Sequence, residues 1–393
     1  MSTEASPVAT RPARDSYFTL AGAAGAYPAL DGLRAIAILL VLARHGATAL
    51  PAAIWEGASV PLQWLRNMAF NGWLGVDLFF VLSGCLIGIH LLRWREFSST
   101  PYRYGVYMLK RVCRTFPLYY VVIGLILLGL LPAHVPRADI SMHDVLTLLV
   151  FLQDLLGTPL LITLWSLAVE EKFYLVAPLL IFGLAKMGSL ARALGALALA
   201  AAAVAVLRTG LVWLMAPEEY ADFFWTFRAP LSLEPILIGV GCAFVLHSGA
   251  AKALVRKYLR ALLLAPAAAL LLLLCAAPFA EGGNWVLTSL AIPAAALCFA
   301  CLVVATSVSA RAASGFLGAW PMRTISRLSY ALYLIHYPLV PAALLLAGQV
   351  AGAQAGALFE AAFLTLYLGA SLLFAAILHF AVEKPFLLLK ARL

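Results

Sequence analysis

Residues 30–45 read LDGLRAIAILLVLARH, an apolar run with Arg34 near one end and His45 at the other. The pattern is typical of a membrane-spanning helix, on which these two residues, eleven positions apart, share a face and lie about 16 Å apart along the axis. Arg34 is then predicted at a membrane interface and His45 near the middle of the bilayer, where an ionisable group is a functional candidate. A histidine there suits proton transfer. The alternative is a histidine that is hydrogen-bonded between packed helices.

The composition of the 393-residue chain is that of a protein that lies in lipid, since 64% of its residues are apolar and 11% are charged. A soluble chain is nearer half apolar and a quarter charged. Because a helix needs about 20 apolar residues to cross a bilayer, the sequence predicts an all-α integral membrane protein, a single polytopic bundle of about ten transmembrane helices. The predicted spans are 33–52, 72–92, 112–132, 160–185, 193–215, 229–248, 260–279, 285–306, 328–347 and 357–382. The apolar run 145–156 is too short to span and is predicted to be interfacial or re-entrant, with an eleventh span as the alternative.

Lysine and arginine are concentrated in every second predicted loop. By the positive-inside rule, this asymmetry predicts the orientation of the bundle. One set of connections and the C-terminal end carry most of these residues, whereas the opposite set carries few. Both termini are therefore predicted to be cytoplasmic, in a multi-pass protein of the inner (plasma) membrane. We expect a disordered cytoplasmic tail at 1–28, a membrane domain at 29–386 and a short cytoplasmic tail at 387–393. The net charge of +9 needs no nucleic-acid partner, and membrane lipid is the expected surrounding.

Two carboxylates fall inside apolar spans, where each is costly unless it is paired or hydrated. Glu170, in TLWSLAVEEKFYL (163–175), lies near mid-depth, and Asp77 lies in GWLGVDLFFVLSGCLIG (72–88). Function is one explanation for these acids. The other is ion pairing with Arg44, Lys172 or Arg228.

A second histidine lies in ISRLSYALYLIHYPL (325–339), where Ser329, Tyr333 and His336 share a helix face. Function and a packing hydrogen bond explain this face equally well.

In KRVCRTFPLYY (110–120), Arg111 and Arg114 form one cationic face. Paired guanidinium groups suit phosphate, and the alternative is ordinary positive-inside anchoring. The six cysteines show no zinc-type spacing, and no metal site is expected.

Together with the late VEKPF (382–386), these segments resemble the bacterial acyltransferase family 3, membrane-bound O-acyltransferases that modify surface polysaccharides and some small molecules. Six motifs in family order run from about residue 30 to 386. The resemblance implies that His45 is the essential histidine paired with Arg34, that Arg111 and Arg114 are the family's arginine pair, and that Glu170 is its carboxylate. Cys85 and Arg44 depart from the usual family pattern. Because the chain ends at Leu393, no appended hydrolase-like domain is expected.

The expected reaction is transfer of an acyl group, expected to be acetyl, from cytoplasmic acyl-CoA (acetyl-CoA) to a hydroxyl. Arg34, Arg111 and Arg114 are expected to bind the donor phosphates. His45 takes the acceptor proton or is itself acylated, and Glu170 orients the imidazole. Substrate contacts are expected from the remaining polar candidates, Asp77, Ser83, Trp165, Tyr333 and His336. No permanently bound cofactor is expected.

The acceptor is expected to be a cell-surface glycan or its lipid-linked precursor, and a small molecule such as a macrolide is the alternative. A proton-coupled secondary transporter is the rival from another functional class, because histidine and carboxylates at the midplane also suit proton relays. Direct transfer and an acyl-enzyme both remain open at this point.

Overall fold

Long apolar runs, interrupted by glycine, proline and charged residues, form the helices of this chain. A computed structural model describes residues 27–55, 59–97, 103–278, 283–352 and 356–392. Every regular element in these ranges is helical. The α-helices are α1 (Pro28–Ala49), α2 (Val60–Phe70), α3 (Leu74–Phe97), α4 (Tyr104–Leu127), α5 (Met142–Leu149), α6 (Gln153–Leu156), α7 (Trp165–Lys186), α8 (Leu190–Met215), α9 (Tyr220–Phe223), α10 (Glu234–His247), α11 (Gly249–Lys257), α12 (Leu259–Cys275), α13 (Trp285–Val308), α14 (Ala310–Ser314), α15 (Trp320–Ala351), α16 (Ala357–Leu378) and α17 (Lys384–Lys390).

Short helical segments connect or extend the long helices. The 3₁₀ segments are Ala52–Trp55, Asn71–Trp73, Arg137–Asp139, Ile162–Leu164 and Phe316–Gly318. Two π-helical segments, Phe224–Arg228 and His379–Glu383, extend from α9 and α16. Such wide turns are rare and occur frequently at functional sites, and each of these two carries charged residues that are used below.

Each of the ten predicted spans overlaps a long helix, but fewer helices are apolar enough to cross a membrane by length and composition alone. Within the described ranges six qualify, or seven if α10 and α11, which are bent by 98° to each other, count as one span. Of the remainder, α4 and α7 each carry a cluster of charges, and α12 has 17 residues. The structure therefore supports a helical membrane protein, while the number ten and the cytoplasmic placement of the termini stay predictions.

The segment predicted to be interfacial or re-entrant forms two short helices, α5 with 8 residues and α6 with 4. Neither is long enough to span a bilayer. The predicted tail at 1–28 lies outside the described residues except for Tyr27 and Pro28, and residues 387–390 of the predicted C-terminal tail belong to α17.

The centre of the bundle is the crossing of α3 and α10, where two glycines allow close backbone contact. A Cβ atom added at Gly84 would lie 2.2 Å from the carbonyl oxygen of Ile236, and one added at Gly239 would lie 2.2 Å from that of Val81. Small residues let membrane helices approach closely and pack well. This contact holds α3, which carries Ser83 and Asp77, against the rest of the bundle.

Alanine at Gly84 is expected to destabilise the protein by about 1–3 kcal/mol, the usual cost of overpacking a well-packed core. The measurement is thermal unfolding of the purified protein in detergent. Gly124→Ala in α4 is the matched control, because an added Cβ there meets no atom within 4 Å and alanine favours the helix. Equal unfolding temperatures for the two variants would contradict the close contact.

Candidate functional site

Five helices line a cavity of about 150 Å³ that contains all three predicted donor residues, and we call it the arginine cavity. Its polar lining residues are Arg34, Ser83, Arg111, Arg114, Thr115, Ser166, Glu170, Tyr174, Ser329, Tyr330 and Tyr333. Helices α1, α3, α4, α7 and α15 contribute these side chains. The structure thus brings together the arginines of two sequence motifs and the carboxylate of a third.

The three arginines of this cavity have different partners. Arg34 donates to Asp31 at 3.2 Å and Arg114 forms an ion pair with Glu383 at 3.1 Å. The guanidinium of Arg111 instead lies 5.9 and 5.6 Å from the ring centres of Tyr107 and Tyr174. Its Nε is buried and has no hydrogen-bond partner among the described residues. Arg111 is therefore a half-buried cation of the cavity that forms no ion pair with a described residue and has a buried Nε free to bind a ligand.

Glu170 does not contact His45, contrary to the prediction that it orients the imidazole. In the described structure its carboxylate accepts hydrogen bonds from Ser83 and, at 2.5 Å, from Tyr174. The ion pair with Lys172 considered as an alternative is not formed either, because Lys172 pairs with Asp154. Residues two positions apart on a helix point to nearly opposite faces. Glu170 therefore faces the arginine cavity, while Lys172 pairs with Asp154 of the short helix α6.

His45 lies in a second cavity of about 200 Å³, which we call the histidine cavity. Its lining is largely aromatic and cationic: Val41, Arg44, His45, Thr48, Trp73, Val76, Ile162, Thr163, Trp165, Phe224, Arg228, Tyr333 and Tyr337. Of these, Arg44 donates to the carbonyl of Phe70 at 2.8 Å. Helix α1 thus presents Arg34 to one cavity and His45 to the other.

His336 contacts His45 directly, with 3.3 Å between His336 Nε2 and His45 Nδ1. Each Nδ1 also faces a carbonyl oxygen of its own helix, Val41 at 3.0 Å for His45 and Leu332 at 2.9 Å for His336. Because a carbonyl oxygen only accepts, the proton of each neutral ring is placed on Nδ1. His336 Nε2 then accepts from His45, and the Nε2 lone pair of His45 remains as a proton acceptor.

Tyr333 stands where the two cavities adjoin, since Tyr333 and Val76 line both of them. The Tyr333 hydroxyl donates to the carbonyl of Thr163 at 2.5 Å and lies 2.6 Å from Ser166 Oγ. Trp165 is close by in the histidine cavity. Of the predicted substrate-contact residues, Tyr333 therefore lines both cavities and Trp165 lines the histidine cavity.

Asp77 has a structural partner that explains its burial. Its Oδ1 accepts from Arg228 at 2.8 Å, and Arg228 also donates to Ser232 at 2.7 Å. The guanidinium of Arg228 packs over the rings of Trp73 and Trp165. Asp77 was expected to contact substrate, but the structure shows the alternative, an ion pair with Arg228. Arg228, rather than Asp77, lines the histidine cavity.

Sequence reasoning missed Glu383 as a site residue, although the VEKPF motif contains it. Its carboxylate accepts from His379 at 2.7 Å and pairs with Arg114, so the second π-helical segment positions an arginine of the site. Among the described residues, no group of three or more His, Cys, Asp or Glu side chains is arranged to hold a metal ion.

Comparison with known proteins relates the chain to a family and to curated relatives by sequence. The model of a family described as "Acyltransferase domain" matches residues 27–381. The chain is 29% identical over 340 residues to the "Putative peptidoglycan O-acetyltransferase YrhL" of Bacillus subtilis, covering 80% of this chain and 48% of that protein. It is 31% identical over 171 residues to the "Peptidoglycan O-acetyltransferase OatA" of Listeria monocytogenes, covering 39% of this chain and 24% of that protein.

The matched region is thus less than half the length of either relative. No solved structure is significantly similar to the chain. The family match nevertheless extends over most of the residues, including five of the six motifs and the lining of both cavities. The chain therefore belongs to the acyltransferase family 3 that its motifs resemble.

Proposed function

We propose that this protein is a membrane-embedded O-acyltransferase that moves an acyl group, expected to be acetyl, from cytoplasmic acyl-CoA to a hydroxyl of a cell-surface glycan or its lipid-linked precursor. The observation that carries the proposal is the pair of adjoining cavities, one with three arginines and one with His45. The names of the two relatives support the acetyl group and the glycan. We further propose ten spans with both termini in the cytoplasm, in the inner membrane.

The arginine cavity is assigned to the donor. Coenzyme A carries several phosphate charges, and guanidinium groups bind phosphate in a bidentate geometry. Arg111 is the strongest candidate because its Nε is buried without a hydrogen-bonded partner. Arg34 and Arg114 add positive charge beside it, and their acidic partners hold them in place. The thioester would then lie toward Tyr333 and the histidine cavity.

His45 is assigned to proton transfer. Its Nε2 takes the proton of the acceptor hydroxyl as the oxygen attacks the thioester carbonyl. The carbon–sulfur bond breaks, and the leaving thiolate receives a proton from the imidazolium, so that the reaction produces an ester and a free thiol. His336 accepts the Nδ1 proton of His45 in a hydrogen bond and stabilises the charged ring. Glu170 is assigned to shaping the donor path through Ser83 and Tyr174.

The proposal is tested by incubating purified protein with acetyl-CoA and a lipid-linked glycan and measuring release of the CoA thiol. Release is expected to depend on the acceptor and to be matched by acetyl ester on the glycan. A proton flux in vesicles without any thiol release would favour the secondary transporter instead. Ester formed only on a small molecule would replace the glycan as the acceptor.

Lysine at Arg111 is expected to weaken donor binding at least about fivefold, the scale of one ordinary hydrogen bond, because lysine keeps the charge but loses the bidentate fork. Arg114→Lys is expected to have a smaller effect, since lysine can still pair with Glu383. The measurement is calorimetry with a non-hydrolysable acyl-CoA analogue in detergent.

Arg95→Lys is the matched control for these variants, because Arg95 is an exposed arginine at the end of α3 that donates to the carbonyl of Ala185. It is expected to bind the donor analogue as the wild type does. Unchanged affinity in both Arg111→Lys and Arg114→Lys would leave these arginines with only the anchoring role that the positive-inside rule gives them.

A further inference from the structure

A third cavity, of about 680 Å³, lies between α8, α10 and α13 and takes no part in the proposed reaction. Its lining contains no charged residue: Leu194, Leu197, Ala198, Ala201, Ala202, Ala205, Val206, Leu237, Ile238, Gly241, Cys242, Val245, Val255, Leu262, Pro293, Leu297, Ala300, Cys301 and Val304. Water finds few hydrogen-bond partners in such a space, and the outer faces of the same helices are apolar. The chemistry of the lining therefore selects hydrocarbon.

The length of this apolar cavity matches one leaflet of a membrane. Its lining runs along α8 from Leu194 to Val206, which is about 18 Å at 1.5 Å per residue. The hydrocarbon core of a bilayer is about 30 Å thick, so one acyl chain of a lipid spans about half of that. The cavity is long enough to hold such a chain lengthwise.

One end of the apolar cavity is bordered by a cationic helix. At the bend of 98° that follows α10, α11 buries Val255 in the cavity wall, and Leu262 of α12 lies beside it. The residues next to these two in sequence are Arg256, Lys257 and Arg260, which are exposed. None of the three forms an ion pair with any described residue. A short amphipathic helix of this kind lies in a membrane surface and attracts anionic lipid.

We propose that the apolar cavity and α11 form a binding site for one anionic glycerophospholipid. An acyl chain occupies the cavity between α8, α10 and α13, and the phosphate group lies against Arg256, Lys257 and Arg260. A neutral lipid of the same chain length would fill the cavity without the charge contacts. If the three basic residues only anchored the loop by the positive-inside rule, the cavity would have no part in it. The proposed site requires both the apolar cavity and the basic residues.

The test is native mass spectrometry of the full chain in detergent with added dioleoyl phosphatidylglycerol or dioleoyl phosphatidylcholine. The wild type is expected to retain one phosphatidylglycerol at least about tenfold more tightly than phosphatidylcholine. Arg256→Gln with Lys257→Gln is expected to weaken that binding about fivefold for each charge removed. Ala201→Phe, which places a ring in the cavity, is expected to reduce binding of both lipids at this site.

Two matched controls separate the site from general effects. Lys390→Gln with Arg392→Gln removes two charges at the C-terminal end, where Lys390 is the last residue of α17, a helix that packs against α4, and Ala361→Phe adds a ring at an exposed position of α16. Both are expected to bind phosphatidylglycerol as the wild type does.

Equal binding of the two lipids by the wild type, or equal losses in the α11 and control double variants, would overturn the proposal. So would tighter binding of a polyprenyl phosphate, which would assign the cavity to the lipid of the acceptor. If Ala201→Phe does not fold, the lipid comparison with the wild type and the charge variants still decides.

Discussion

Replacing His45 by alanine is expected to lower the rate of acyl transfer about 10²–10⁴-fold, the contribution that a general acid–base group typically makes. The Nδ1 atom of this histidine is committed to Val41 and His336, so its Nε2 is the atom available to the acceptor hydroxyl. Alanine removes that base and leaves the arginine cavity unchanged. The measurement is turnover of acetyl-CoA with acceptor present, together with affinity for the donor analogue, which is expected to stay at the wild-type value.

His143→Ala is the matched control for the His45 variant, because His143 is an exposed histidine at the start of α5. It is expected to retain wild-type turnover. A His45→Ala protein that inserts normally and keeps more than about a tenth of wild-type turnover would rule out His45 as a base or as an acyl carrier.

The contact between His45 and His336 changes the expected role of the carboxylate. A carboxylate beside a catalytic histidine fixes its tautomer and stabilises its charged form. Here two backbone carbonyls fix both tautomers, and a neutral imidazole takes the place of the carboxylate. Glu170 is separated from His45 because each lines a different cavity. We therefore expect a change of Glu170 to weaken donor binding rather than to alter proton transfer at His45.

The helices could be predicted from sequence because their signal is local. Each predicted span is an apolar run whose length and periodicity do not depend on its neighbours, and each overlaps a long helix. The number of spans is harder to predict, because α4 and α7 combine apolar runs with charged residues. These charges find their partners only in the packed bundle. The two π-helical segments have no comparable local signal, because an extra residue in a turn is stabilised by its tertiary contacts.

The composition of the site was predicted better than its geometry. Helical spacing predicted Arg34 and His45 on one face of α1, and the structure places them in two adjoining cavities, whereas Arg111 and Arg114 line the same cavity. Spacing along one helix cannot show which residues of distant helices meet. The contact of His45 with His336 joins residues 291 positions apart, and that of Asp77 with Arg228 joins residues 151 apart. Such pairs depend on the packing of the bundle.

Replacing Asp77 by alanine is expected to destabilise the protein by about 3–5 kcal/mol, because it leaves the charge of a buried arginine uncompensated. Asp77 is fully buried and Arg228 is 4% exposed, so bulk water has little access to the guanidinium that loses its carboxylate. The measurement is thermal unfolding in detergent. Because Arg228 lines the histidine cavity, the variant is also expected to lose acyl transfer, through a displaced arginine.

The double variant Asp77→Leu with Arg228→Met separates the stability effect from the catalytic one. Replacing both charges of a buried pair by apolar residues is often close to neutral for stability, so the double variant is expected to unfold near the wild-type temperature. It is nevertheless expected to remain defective in acyl transfer, because the histidine cavity has lost the cation that packs over Trp73 and Trp165. Wild-type stability of Asp77→Ala alone would contradict the ion pair. Recovery of full activity in the double variant would show that Arg228 has no part in the reaction and that the pair serves the fold alone.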